Sequence, residues 1–192
     1  MNADRRQQIV EAATKSFTLF GYKATTMDQV AKLANVGKGT IYNFFKNKEE
    51  LFKEIVNTSI LEMKHAAEKV ISDDRPFHEN VHAALYEILE FRMNHQFTIK
   101  LFQEEKEIGT KAVADMAKEM ENAIVTYIKD KVEAAVKKGE IAPCDPELTA
   151  FLMLKMYIAL IFDWELNHEP LEKEEIAKLF QLYIFKGLSK VR

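Results

Sequence analysis

The stretch KATTMDQVAKLANVGKGTIYNFFKNKEEL, Lys23 to Leu51, holds three helix starts in quick succession. Thr26 stands three residues before Gln29, the spacing of a capping box, and Met27, Val30, Ala31 and Ala34 then share one face of a short helix. Asn35, Val36 and Gly37 make a turn around one apolar residue. Lys38 to Phe45 forms a second short helix, with Ile41, Phe44 and Phe45 inward and Lys38, Thr40, Tyr42 and Asn43 outward. Asn47, three residues before Glu50, caps a longer helix that begins at KEELFKEIV and runs to about Ile71. Two short helices joined by a tight turn and flanked by longer ones form a helix-turn-helix. In that arrangement the second short helix enters the major groove of DNA.

Working outward, Asp4 can cap a first helix whose Ile9, Ala12, Ala13, Phe17 and Phe20 recur at helical spacing until Gly21 stops it. Beyond the break SDDRP, Pro76 fits the first turn of a fifth helix reaching Asn94. Further helices are expected at Gln96–Glu107, Thr110–Lys138, Asp145 to about Asn167, and from EPLEKEE to near Gly187. No repeat and no strand-like alternation occurs. The fold class is all-α, with about nine helices: an N-terminal helix-turn-helix head over residues 1–48 and a helical body over 49–192.

Composition narrows the partners. The chain has 192 residues, 47% apolar and 30% charged, with only 6 Gly and 4 Pro, an ordinary helical balance. Its net charge of −3 is uneven: residues 1–50 hold eight Lys and Arg against five acids, so a basic head sits on an acidic body. That asymmetry implies a polyanion partner for the head alone. The lone Cys144 cannot form an internal disulfide, and no signal-like apolar run opens the chain, so a cytoplasmic protein is expected. The greasiest segment, FLMLKMYIALIF (Phe151–Phe162), falls short of the roughly 20 residues a membrane span needs.

Each outward residue of the opening stretch suits contact with a duplex. Gly37 and Gly39 remove bulk where a backbone must approach closely. Lys38 offers a mobile cation, Thr40 a small hydroxyl and methyl for a base edge, and Asn43 an amide for adenine or phosphate. Tyr42 can donate to a phosphate, and Thr26 and Lys48 stand at helix starts where amides favour anions. Gly21, Thr26, Ala31, Ala34, Val36, Gly39, Tyr42, Phe45, Lys48 and Leu51 together resemble the DNA-binding signature of the TetR family of bacterial transcriptional repressors. The likeness covers about residues 5–53. Two positions depart from it: Gly37 stands where members commonly carry Ser, and Phe44 where they often carry Tyr. The resemblance implies that Lys38, Gly39, Thr40, Tyr42, Asn43 and Lys48 face DNA.

The body follows partly from its pattern and partly from that resemblance. The helix PELTAFLMLKMYIALIFDWEL is apolar nearly all round and needs cover on more than one face. Pairing with a second copy is what the resemblance implies, through Phe151, Leu154, Ile158, Ile161, Leu179 and Tyr183. It also implies an effector cavity for a small apolar molecule, for which Met63, Phe91, Phe102, Met116, Met120 and Tyr127 are candidates; as single residues each is equally a core position. His78, Glu79 and His82 spell the H-E-x-x-H of zinc hydrolases, but no third ligand is evident and no cofactor, metal or catalytic site is expected. The expected function is a dimeric repressor of a pseudo-palindromic operator, released by an apolar effector. The alternatives are a helical zinc hydrolase built on that motif, or a constitutive or corepressor-dependent DNA-binding protein.

Overall fold

The structure is a computed structural model, and it describes residues 2–94 and 96–186. Among the described residues the regular structure is helical throughout: α1 (Asn2–Ala24), α2 (Met27–Leu33), α3 (Lys38–Phe44), α4 (Lys48–Val70), α5 (Phe77–Asn94), α6 (Gln96–Glu107), α7 (Lys111–Lys138), α8 (Pro146–Ile158) and α9 (Lys173–Phe180). Local chemistry sets the boundaries. Thr26 Oγ1 accepts from Gln29 N (3.3 Å) while Gln29 Oε1 accepts from Thr26 N (2.9 Å), the reciprocal capping box its spacing predicts. Asn47 Oδ1 caps α4 by accepting from Glu50 N (2.8 Å), and Asp145 Oδ1 caps α8 by accepting from Glu147 N (2.9 Å) and Leu148 N (3.0 Å).

Packing divides the chain into two units, one of Met1–Glu62 with Arg92–Glu121, the other of Met63–Phe91 with Asn122–Arg192. The head therefore shares its packing unit with α6 and the first turns of α7, well past residue 48. Inside that first unit Ile9, Ala13, Phe17, Val30, Ile41, Phe45, Leu51 and Phe52 are buried. Phe52 meets Phe17 edge-on at 5.0 Å between ring centroids, Tyr22 at 4.6 Å and Phe97 of α6 at 5.8 Å. The second unit has its own core of Phe77, Leu89, Val132, Ala135, Met153, Ile161, Ile176 and Phe180.

Three boundaries differ from expectation. Helix α1 does not stop at Gly21: that residue breaks it at φ 78°, and one further turn follows to Ala24. The long apolar helix is α-helical only to Ile158, continues as a π-helix over Ala159–Asp163 and ends in a 3₁₀ turn over Trp164–Leu166. Helix α9 likewise passes into a π-helix over Gln181–Lys186; its expected end near Gly187 lies outside the described residues.

Burial divides the residues of the expected pairing face. Leu154 (5% exposed) and Ile161 (2%) are turned into their own subunit's core, not outward. Leu154 and Ile161 recur seven residues apart, as do Phe151 and Ile158, and each pair follows its own stripe: the first faces inward, the second runs from half-buried to exposed. The outward apolar residues of these helices are Leu148, Phe151, Leu152, Leu182 and Tyr183, while Ile158 and Leu179 are half-buried.

Candidate nucleic-acid interface

Helix α3 is set by what it buries. Ile41 and Phe45 are sealed in the core of the first unit, Phe44 is half-buried, and Lys38, Gly39, Tyr42 and Asn43 are left exposed with Thr40 half-buried beside them. The preceding turn is closed by Val36 N donating to Ala31 O (2.9 Å), with Asn35 at φ 52°, a left-handed position that asparagine tolerates. Five of the seven expected DNA-facing residues thus share one short helix. Tyr42, 43% exposed, projects a ring and hydroxyl that no packing requires. A Cβ on Gly39 would meet nothing within 4 Å, so no neighbour inside the subunit demands glycine there.

The charged groups around α3 are already engaged. Lys38 Nζ pairs with Asp28 Oδ2 of α2 at 3.0 Å, both groups exposed, and the carboxylate raises the lysine's pKa. Thr26's hydroxyl is committed to the capping box. Lys48, at the first position of α4, donates to Tyr22 O (2.7 Å) and Thr25 O (2.9 Å), and its ammonium lies 4.2 Å from the centre of the Tyr22 ring. Partial burial lowers its pKa. Arg6 and Glu54 pair at 2.7 Å, tying α1 to α4 and lowering the pKa of the carboxyl.

Sequence reasoning missed Asp28 and Glu104. Asp28 reads as an ordinary acid in a helix's first turn, and its link to Lys38 needs the α2–α3 turn. Glu104 reads as one of several acids on α6, yet it is 4% exposed and accepts from Tyr22 N (2.6 Å) and Lys23 N (2.9 Å). No signal in the linear pattern separates it from its exposed neighbours.

The other candidate residues are scattered. Phe102, Met116 and Met120 belong to the first unit, Met63, Phe91 and Tyr127 to the second. Met116 and Met120 are buried and the other four half-buried. Tyr127's hydroxyl is buried with no hydrogen-bond partner among the described residues, and Lys131 Nζ lies 5.4 Å from its ring centre. Burial, with Glu68 nearby, pushes the phenol well above its ordinary value. His78, Glu79 and His82 are exposed along a groove of about 430 Å³ between α5 and α9, floored by Phe180 and Phe185. Among the described residues no three His, Cys, Asp or Glu side chains gather to hold a metal.

Two short helices joined by a tight turn, the second polar and uncovered on a buried hydrophobic base, define a helix-turn-helix DNA-binding protein. The chain belongs to the TetR family of transcriptional regulators, a family of DNA-binding proteins and not of enzymes: the family model for bacterial regulatory proteins of the tetR family matches residues 9–55, and one for the tetracyclin repressor-like C-terminal domain matches 74–188. The uncharacterized HTH-type transcriptional regulator YhgD of Bacillus subtilis (strain 168) is 66% identical over 189 residues, covering 98% of this chain and 99% of its own. Among solved structures, the fatty acid degradation regulator FadR from Bacillus halodurans has the same fold (TM-score 0.76, 16% identity, 94% of this chain and 96% of that one). So does AibR in complex with isovaleryl coenzyme A and operator DNA (TM-score 0.65, 24% identity, 92% and 95%). No helix among the described residues is long and apolar enough to cross a membrane.

Proposed function

We propose that the chain is a repressor that binds a pseudo-palindromic operator as a dimer and leaves it when an acyl-type apolar molecule binds the body. The observation that carries the DNA reading is α3: a buried base of Ile41 and Phe45 under an uncovered face of Lys38, Gly39, Tyr42 and Asn43. Tyr42, Asn43 and Thr26 contact phosphates, Thr40 meets a base edge, Lys38 reaches a phosphate or a guanine edge, and Lys48 adds positive charge at the start of α4. One short helix reads only a few base pairs, so a two-fold pair is needed to read two half-sites. The apolar face of Leu148, Phe151, Leu152, Leu182 and Tyr183 supports that pairing, with Ile158 and Leu179 at its edge.

The effector class is argued from chemistry. Methionine adapts its shape to an apolar chain, and phenylalanine offers it a flat apolar wall. The buried Tyr127 hydroxyl, with Glu68 beside it, is a polar group in that apolar setting that suits a carbonyl or thioester oxygen. AibR's complex with an acyl-CoA and FadR's link to fatty acid degradation make acyl-CoA thioesters the first class to test. The ligand acts only if it favours the conformation that does not bind DNA; a tenfold preference per site amounts to about 1.4 kcal/mol of coupling.

The test selects a duplex from a random library, then maps it by footprinting. Two protected half-sites related by a dyad are expected, and Tyr42→Ala should weaken all duplexes alike while leaving the slope of log affinity against log salt nearly unchanged, because the lost contact carries no charge. A single asymmetric footprint would overturn the dimeric reading.

A further inference from the structure

We infer that Glu104 and Lys48 form a two-sided clasp on the last turn of α1, past the Gly21 break, where it leads into α2, and that this clasp sets how the recognition helix is presented. Both act as positioning residues for DNA binding, which rests on the function proposed above.

The geometry starts at Gly21. Its φ of 78° and ψ of 170° interrupt α1, so the next peptides begin a new turn with free N–H groups. Tyr22 N–H and Lys23 N–H converge on the Glu104 carboxylate at 2.6 and 2.9 Å, one oxygen each. Successive backbone amides aimed at one point make a concavity that suits an anion. The opposite side of the same segment is held too: the carbonyls of Tyr22 and Thr25 accept from Lys48 Nζ at 2.7 and 2.9 Å. An anion from α6 thus grips the amides, and a cation from α4 grips the carbonyls, of a link that leads directly into the Thr26 capping box and α2.

Glycine is required at position 21 on two counts. Its positive φ strains any other residue, and an added Cβ would come within 2.6 Å of Glu104 Oε2. Glu104 is 4% exposed, and a buried carboxylate is tolerated only where hydrogen bonds and opposite charge replace water. Here the two amides supply the bonds, while Lys48 holds the carbonyls of Tyr22 and Thr25 on the other side of the same segment. Moving α6 therefore either drags the link along or strands a buried charge. Lys48, with two of its protons on carbonyls, works chiefly through this clasp and only secondarily as charge near phosphate.

The experiment compares wild type, Glu104→Gln, Lys48→Gln and the double variant on a duplex selected by the wild-type protein. It measures affinity across a salt series and amide exchange at Tyr22 and Lys23. Gln keeps the size of Glu but turns an N–H₂ toward an amide donor. The expected result is an affinity loss of about tenfold for Glu104→Gln with the salt slope unchanged, and a loss in the double variant smaller than the two single losses combined. Exchange at Tyr22 and Lys23 should quicken. Unchanged affinity with unchanged exchange overturns the clasp, and so does a strictly additive double variant. If the wild type selects no duplex, the DNA reading fails separately, and the clasp is judged by amide exchange alone. If Glu104→Gln does not fold, exchange in the wild type with and without the selected duplex decides: slower exchange on DNA supports the clasp, and no change rejects it.

Discussion

At the scale of single residues, the cation on the outward face of α3 is balanced by an acid of α2. Asp28 holds Lys38 at 3.0 Å in the free protein. A phosphate approaching Lys38 meets a neutralised cation and a nearby repelling carboxylate. Asp28→Asn removes both obstacles without changing size. Because the pair is exposed its own strength is small, so a gain of only a few-fold in affinity is expected, with a steeper salt dependence. A binding titration at two salt concentrations checks this; unchanged affinity at both would mean that Lys38 stays away from phosphate. The outward set of α3 was legible from periodicity, since Ile41 and Phe45 fix the helix's rotation. The partners of Lys48 were not. Tyr22 and Thr25 lie more than twenty positions away in sequence and offer backbone carbonyls, which no side-chain pattern advertises.

At the scale of elements, capping chemistry was the most readable layer. Thr26 with Gln29, Asn47 with Glu50, and Asp145 before Pro146 each place a helix start where the structure has one. Short helices depend heavily on such bonds, because α2 has only 7 residues to repay its nucleation. Thr26→Ala should therefore cost about 1 kcal/mol in chemical denaturation, and Thr26→Ser should recover most of it. Equal losses for both substitutions would show that the methyl's packing matters and the hydroxyl does not. Helix ends were harder to read. The passage of α8 and α9 into π-helix leaves no mark in residue type. The kink at Gly21 was visible as a glycine, while the extra turn after it depends on Glu104 arriving from α6.

At the scale of the whole molecule, the sequence separates a basic head from an acidic body, but packing draws the line elsewhere. Residues Arg92–Glu121 join the head's unit because Phe97, Leu101, Val113 and Met120 bury apolar surface there, a long-range choice that composition cannot reveal. The apolar residues of α8 and α9 then split into two kinds with opposite expected behaviour. Ile161 (2% exposed) is needed by its own subunit, whereas Phe151 (42%) is a large apolar side chain with substantial surface in water. Ile161→Glu buries an unpaired charge and should unfold the body, lowering helical content along with DNA binding. Phe151→Glu leaves the subunit's core intact, so circular dichroism should match the wild type. If Phe151 is covered by a second copy, that same substitution places a carboxylate in an apolar interface, and sedimentation should report monomers at micromolar concentration. Operator affinity should fall steeply in the folded monomer, because one α3 alone holds only a half-site. A Phe151→Glu protein that remains dimeric and binds DNA normally would move the pairing surface away from α8.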